Sequence, residues 1–288
     1  MSPEVPLAAF RGIHYLPQGR THDGPLPVKL YHVDAFTDRI FAGNPAAVCL
    51  LAEPAPEKWM QSLAGEMNLS ETAFLHPQGS EFMLRWFTPR VEVSLCGHAT
   101  LASAHVLWEE GEVAPGSPIV FNTKSGKLVA SRRGDVIELD FPARPASPIE
   151  PPKGLCEALG VSPKFVGRSR DDYLLEIDDE DELRLLTPDY ARLAKVDTRG
   201  AIITCRSRSK EYDFVSRFFA PAVGVNEDPV TGSAHCCLAI FWGRRLRKTE
   251  MVGFQASPRG GVVSVKVKGR RVVLGGRAVT AFAGEMRS

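Results

Sequence analysis

Apolar and polar residues alternate along VKLYHVDAFT (residues 28–37), a run rich in β-forming side chains that reads as a strand with one buried face. A turn at Gly43-Asn44-Pro45 leads into the apolar run AAVCLL, which predicts a second strand. Between Pro56 and Asn68 the period changes: Trp59, Met60, Leu63, Ala64 and Met67 recur at helical spacing and predict an amphipathic helix. SETAFLHP and EFMLRWFTP return to the strand pattern. Gly97 to Trp108 is a helix of small residues, apolar on nearly every face, which is the pattern of an enclosed helix rather than a surface one.

The middle of the chain is strand-rich. SPIVFNT, GKLVASRR and DVIELDFP predict a meander with a turn at Arg133-Gly134, and Pro142 to Gly154 has the composition of a linker. DDYLLEID, GAIITC and YDFVSRFFAP follow as strands, with helix near 180–195. A second enclosed helix is expected over Gly232–Trp242, followed by the basic cluster Gly243–Lys248, whose cations suit the negative end of a helix dipole. VSVKVKG, RRVVLGG and RAVTAFAGE close the chain as strands. Residues 1–27, rich in Pro, Gly and His without periodicity, read as a flexible extension.

One stretch is written twice. Phe87, Pro89, Val91 and Val93 match Phe219, Pro221, Val223 and Val225 at an offset of 132, and Gly97 and Ala99 match Gly232 and Ala234 at an offset of 135. The second copy therefore carries three extra residues, at Glu227-Asp228-Pro229. A separation this long excludes solenoid repeats, whose period is about 20–50 residues. It predicts two similar halves, each a mostly antiparallel sheet around one buried helix. The first covers 28–127, to which the C-terminal residues about 277–288 have the option of returning, and the second covers 128–276. Two such halves face to face form a cleft between two helix N-termini, where free N–H groups and the positive dipole ends favour an anion.

Composition narrows the function. At 288 residues, 44% hydrophobic and 24% charged, the chain buries a core without disulfide or metal staples. A net charge of +1 gives no support to a nucleic-acid partner. The six cysteines are scattered without a C-x-x-C, which points to a reduced, cytoplasmic compartment and to no zinc site. No apolar run reaches membrane-spanning length and no signal peptide is visible.

Few polar residues sit where chemistry is possible. Glu71 lies among Met67, Leu69, Ala73 and Phe74; it is either a solvated loop carboxylate or one that desolvation turns into a base near neutrality. His98, in the first turn of the first enclosed helix, either satisfies a backbone group or is a neutral imidazole able to exchange a proton. Asp228 fits an N-cap or Asx-turn as well as a site, Ser233 fits a helix-surface hydroxyl, and Gly232 permits close approach of a ligand to backbone. There is no G-x-S-x-G, Walker loop, dinucleotide glycine pattern or metal-ligand spacing, so cofactor-free proton transfer is the chemistry that survives.

VDAFTDRIFAGNPAAVCLL, MNLSETAFLHP, LRWFTPRVEVSLCGHATLASA and FFAPAVGVNEDPVTGSAH, four blocks in order, closely resemble the phenazine-biosynthesis-like (PhzF) family over roughly residues 29–285. The resemblance implies an α+β, diaminopimelate-epimerase-like fold with two pseudo-symmetric halves. It implies an isomerase that needs no cofactor or metal and moves a proton within trans-2,3-dihydro-3-hydroxyanthranilate, with Glu71 of the S-E-T motif as catalytic acid/base. His98 and Asp228 are carried over as catalytic partners, and Gly97, Gly232, Ser233 and Asn44 as substrate-binding residues. A homodimer with a small anionic substrate, and no nucleic-acid or membrane partner, is the family expectation. Epimerases of this fold use two cysteines; here Cys96 holds the first position and Thr231 the second, which disfavours that rival. A non-catalytic interaction protein keeping the fold is the other.

Overall fold

The computed structural model describes residues 28–286, so the extension expected over residues 1–27 lies outside the described residues. Among the described residues seventeen strands form one connected sheet; sixteen fall into two runs of the same order, and the two-residue strand Glu92–Val93 pairs beside Glu81–Phe87. The first run is Ala278–Met286, Val28–Ala35, Asn44–Leu50, Glu71–Gln78, Glu81–Phe87, Ile119–Thr123, Gly126–Arg133 and Val136–Pro142. The second is Ser147–Pro148, Phe165–Arg168, Asp172–Glu176, Gly200–Arg206, Phe214–Phe219, Glu250–Gln255, Gly261–Lys268 and Arg271–Gly276. In each run the third and fourth strands, and the fifth and sixth, pair in parallel and every other neighbour is antiparallel. This is the α+β, two-half architecture that the internal echo requires.

Each run curls around one helix. Gly97–Glu109 is buried from His98 to Trp108 except at His105, and Gly232–Leu246 buries Ala234 through Ala239. Small side chains at Ala99, Ala102, Ser103 and Ala104 keep the first helix thin enough to be wrapped. Its two buried hydroxyls are satisfied within the helix, Thr100 donating to the Cys96 carbonyl and Ser103 to the Ala99 carbonyl at 2.7 Å. The second helix is tied to the sheet by Trp242 Nε1, which donates to Thr204 Oγ1 at 2.9 Å. It runs a turn further than the sequence predicts, to Leu246, so the basic cluster forms its last turn and C-cap. Arg245 there pairs with Glu176 at 2.7 Å and lies 3.8 Å from the centre of the Phe241 ring, and Lys248 pairs with Asp213.

The halves meet where Val136–Pro142 pairs antiparallel with Arg271–Gly276, with Leu139 opposite Leu274. These two residues are 135 positions apart, the same offset that relates the two helix starts. A local two-fold axis therefore passes through this strand pair and between the helix starts, and the register of one pair of strands brings Gly97 against Gly232. A Cβ built on either glycine lies 3.7 Å from the other's Cα.

Besides the two-residue strands, two strands escape the sequence pattern, Phe165–Arg168 and Glu250–Gln255. Each is short and carries an interior glycine, Gly167 or Gly253, which weakens strand propensity; in both, an aromatic ring occupies the space a Cβ would need. The linker-like stretch contributes the edge strand Ser147–Pro148, bonded to Gly167 and Arg168.

Leu139 and Leu274 are 2% and 1% exposed at the seam between the halves. Leu274→Ala is expected to destabilise the protein by about 2–5 kcal/mol through lost burial and the cavity left behind. Urea unfolding midpoints of variant and wild type measure it, and a difference within error would remove this strand pair from its place at the centre of the fold.

Candidate active site

The residues singled out from the sequence converge on the two helix starts. Glu71 opens its strand immediately after the helix Glu57–Met67, whose last turn closes on Asn68 in the left-handed region at φ 50°. His98 stands in the first turn of the first central helix, its Nε2 3.3 Å from Glu71 Oε2, and Cys96 Sγ lies 3.5 Å from His98 Nδ1. Neither central helix has a side chain capping its first turn, so first-turn N–H groups stay available to a ligand.

Asn44 and Asp228 reach the site from two loops locked to each other. Gly43 adopts φ +64°, and a Cβ there would lie 2.1 Å from the Ala35 carbonyl oxygen, so this turn needs glycine. Gly43 N–H donates to the Gly260 carbonyl at 2.7 Å, and Arg259 donates to the carbonyls of Ala42 and Gly43 and to the buried carboxylate of Asp34. Asn44 is thereby aimed across the seam, donating from Nδ2 to Asp228 Oδ1 at 2.8 Å and to the Val230 carbonyl at 2.9 Å. Thr231 Oγ1 donates to Asp228 Oδ2 at 2.5 Å. Gln255 spans the loop, giving Nε2 to the Asp228 carbonyl at 2.7 Å and accepting from Thr231 N–H at 2.9 Å. The N-cap of the second helix is thus Thr231, and Asp228 bonds side chains rather than the helix backbone.

Glu227 has a different task. It accepts two bonds from Arg217, at 2.7 and 2.8 Å, and Arg217 is also the donor to the carbonyls of Leu183, Arg184 and Leu186. The acid pair of the insertion divides, one carboxylate holding the loop down and the other turned to the helix starts.

Burial sets the charge states. Glu71, a fifth exposed at its side chain, is pushed up to about 7 by desolvation and by the Asp228 charge, against the opposing pull of the Cys96 thiol. Asp228 is raised to about 6 by desolvation despite the bonds from Thr231 and Asn44. His98 is held down near 4 by burial and is neutral at neutral pH. Burial also keeps the Cys96 thiol protonated, well above its ordinary range. The Cys96 thiol faces both Glu71 and His98 Nδ1, and His98 Nε2, the nitrogen beside Glu71, makes no hydrogen bond in this state. Glu71, Cys96 and His98 offer O, S and N atoms within 4.8 Å of one another, a donor set able to hold a metal ion that no spacing in the sequence discloses. The two helix N-termini bring positive dipole ends to the same place, which works against a cation.

The pseudo-symmetry shows where the halves differ. Thr72 pairs with Phe87 and Ala201 pairs with Phe219, and the two phenylalanines are counterparts in the echo. Glu71 therefore corresponds to Gly200, and Ser70 to Arg199. A side chain at Gly200 would crowd the Phe218 ring, which lies 2.4 Å from a Cβ built there. Across the helix starts, Cys96 corresponds to Thr231 and His98 to Ser233. The base candidate and the thiol both lie on one half only. Ser233 is held by Arg199 Nη2, which donates to its Oγ at 3.0 Å.

Sequence reasoning placed Glu71, His98, Asp228, Asn44, Gly97, Gly232 and Ser233 in one site, and the structure brings all seven to the two helix starts. It passed over Arg199, Asp172 and Gln255. No local motif marks them, and Arg199 surfaces only when strand register aligns the two halves.

This fold is shared with known proteins. The family model for phenazine biosynthesis-like proteins (PhzC-PhzF) matches residues 33–284. An uncharacterized isomerase of Halalkalibacterium halodurans is 56% identical over 258 residues, covering 89% of this chain and 97% of that protein. The crystal structure of a PhzF-family protein from Enterococcus faecalis superposes with a TM-score of 0.88 at 41% identity, covering 91% of this chain and 100% of that one. A probable proline racemase from Agrobacterium radiobacter shares the fold alone, at a TM-score of 0.61 and 10% identity over 90% of this chain and 93% of that one. The chain belongs to the phenazine biosynthesis-like family. Among the described residues no helix is long and apolar enough to cross a membrane.

A carboxyl group raised to about 7 in the folded state, from an ordinary 4.5, binds its proton more tightly when folded. Its contribution to stability is full below pH ~4.5 and is lost as pH rises through ~7. Glu71→Gln removes that loss and is expected to make the protein more stable than wild type at pH 8, by ~1–3 kcal/mol, with the difference shrinking at pH 5. Thermal melts at both pH values measure it; a variant less stable at pH 8 contradicts the desolvated carboxylate. Glu227→Ala leaves Arg217 buried without its partner and is expected to cost about 3–5 kcal/mol in urea unfolding. A loss below 1 kcal/mol contradicts the structural role.

Proposed function

We propose that this protein is a cofactor-independent isomerase that moves a proton within a small carboxylate-bearing substrate of the trans-2,3-dihydro-3-hydroxyanthranilate type, with Glu71 as acid/base. The observation that carries the proposal is the carboxyl of Glu71, raised to about 7 beside the helix starts, with Gly200 at the equivalent place in the other half. A base needs a pKa near the working pH, and burial supplies that here. A single base on one face must return the proton to the face it came from. That outcome is a double-bond shift rather than inversion at one carbon. In the forward step Glu71 takes a proton from a carbon activated by conjugation, the electron pair moves into the conjugated system, and the protonated Glu71 delivers the proton to a different carbon.

The neighbours have matching tasks. Neutral His98, its Nε2 beside Glu71, holds a substrate polar group or assists proton delivery. Asp228, oriented by Asn44 and Thr231, accepts from a substrate amine or hydroxyl. The uncapped helix starts at Gly97 and Gly232, with Ser233, receive the anion. The cysteine-dependent epimerase finds less support, since Thr231, opposite Cys96, is no thiol and the Cys96 thiol is held protonated by burial. A cytoplasmic homodimer belongs to the proposal on the family resemblance alone.

Turnover of trans-2,3-dihydro-3-hydroxyanthranilate in deuterated water tests it. Glu71→Gln is expected to lower kcat by ~10²–10⁴-fold and to abolish deuterium incorporation, while Cys96→Ala keeps both. Unchanged turnover and labelling in Glu71→Gln rule the assignment out, and loss in Cys96→Ala alone favours the epimerase. The pH profile of wild-type kcat/KM is expected to rise with pH through about 7, as Glu71 gives up its proton in the free enzyme. A flat profile from pH 5 to 9 argues against Glu71 as the base.

A further inference from the structure

The corner that carries Glu71 in the first half carries a guanidinium in the second. Strand register equates Ala46 with Asp172, Ser70 with Arg199 and Glu71 with Gly200. Arg199 turns toward the helix start. Nε donates to Asp172 Oδ1 at 2.8 Å, and Nη2 is shared between Asp172 Oδ2 and Ser233 Oγ. Asp172 is 3% exposed at its side chain, and Arg199 also lies over the Phe218 ring at 5.5 Å from its centre. The backbone is pinned on both sides, Arg199 N–H donating to the Asp171 carbonyl and Thr198 Oγ1 to the Gly200 carbonyl. The guanidinium is therefore fixed in plane and direction.

We propose that Arg199 is a positioning residue that fixes Ser233 as a hydrogen-bond donor to the substrate carboxylate, so that the carboxylate lies on the second half and the reacting carbon on Glu71. This rests on the isomerase reading above. A serine hydroxyl has one proton; when its oxygen accepts from a guanidinium, that proton is free to go to another acceptor. The acceptor that fits is an anion, because uncapped first-turn N–H groups of the second helix lie beside Ser233. Asp172 neutralises much of the Arg199 charge, so the guanidinium acts as an oriented donor more than as a free cation. It still reaches Asp228, whose carboxyl it helps to hold down. Without it, a substrate anion would meet Glu71 and Asp228 with only helix dipoles to offset the repulsion. A lysine offers one point charge and cannot hold Asp172 and Ser233 with the same planar fork.

The test is the ratio of two affinities. Calorimetric titration compares 3-hydroxyanthranilate, a stable aromatic carboxylate of the substrate's shape, with its amide, 2-amino-3-hydroxybenzamide. Wild type is expected to prefer the acid. Arg199→Gln is expected to lower acid affinity by roughly tenfold or more, as for loss of a hydrogen bond to a charged group, and to leave amide affinity within about twofold. Ser233→Ala is expected to follow it. The paired variant Arg199→Gln/Asp172→Asn leaves no unpaired buried carboxylate, and serves if the single variant fails to fold. A variant that retains the acid-over-amide ratio, or loses both affinities equally, overturns the role of Arg199 and leaves the isomerase reading standing. A wild type that binds neither compound at millimolar concentration, or does not distinguish them, overturns the carboxylate substrate class itself, and this assignment with it.

Discussion

Two helices point their N-termini at each other, with Gly97 and Gly232 face to face between them. Each end is positive and carries N–H groups without partners, so the arrangement is unfavourable in isolation. What imposes it is the pairing of Val136–Pro142 with Arg271–Gly276, which lays the local two-fold axis between Gly97 and Gly232. What tolerates it is the surrounding negative charge, Glu71 from one side and Asp228 from the other. The same constraint that shapes the fold thus creates a place where carboxylates are held in a dry, electropositive corner. Their raised pKa values show that desolvation outweighs the helix ends there.

Duplicated architecture and unequal chemistry are compatible because they use different residues. The positions that build each half are the apolar alternation of the strands and the small residues of the central helix, and these repeat. The polar positions around the axis do not repeat: Glu71 against Gly200, Cys96 against Thr231, His98 against Ser233. A symmetric pair of bases would suit removal of a proton from one face and its return to the other. The observed asymmetry leaves the candidate base, Glu71, on one half and the hydrogen-bonded set Asp172, Arg199 and Ser233 on the other.

The insertion Glu227-Asp228-Pro229 shows how little chain is needed to break the symmetry. Glu227 anchors it through Arg217, a buried ion pair whose guanidinium also gathers three carbonyls. Gln255 and Asn44 then bind Asp228 from two other segments. The carboxylate of Asp228 and its loop are thus held both by Thr231, three residues on, and by Asn44 and Gln255, which are distant in sequence.

Much of this was written in the sequence. Period-two alternation marked most strands, the all-round apolar patches marked both enclosed helices, and the echo at offsets of 132 and 135 gave two halves. Those signals are local, because each depends on a residue's near neighbours in the chain. The four motif blocks pointed to Glu71, His98 and Asp228 by resemblance, and the structure gathers them. Strands with interior glycines, Phe165–Arg168 and Glu250–Gln255, were silent because their fitness depends on an aromatic ring filling the missing side chain. The resemblance singled out Asp228 and gave Glu227 no role; only the fold supplied Glu227 with its partner, Arg217. Arg199 and Cys96 acquired their surroundings only through register and burial. Charge state is decided by solvent access and by groups that arrive from elsewhere in the chain, so the residues were legible in sequence, and their pKa values and partners belonged to the tertiary structure.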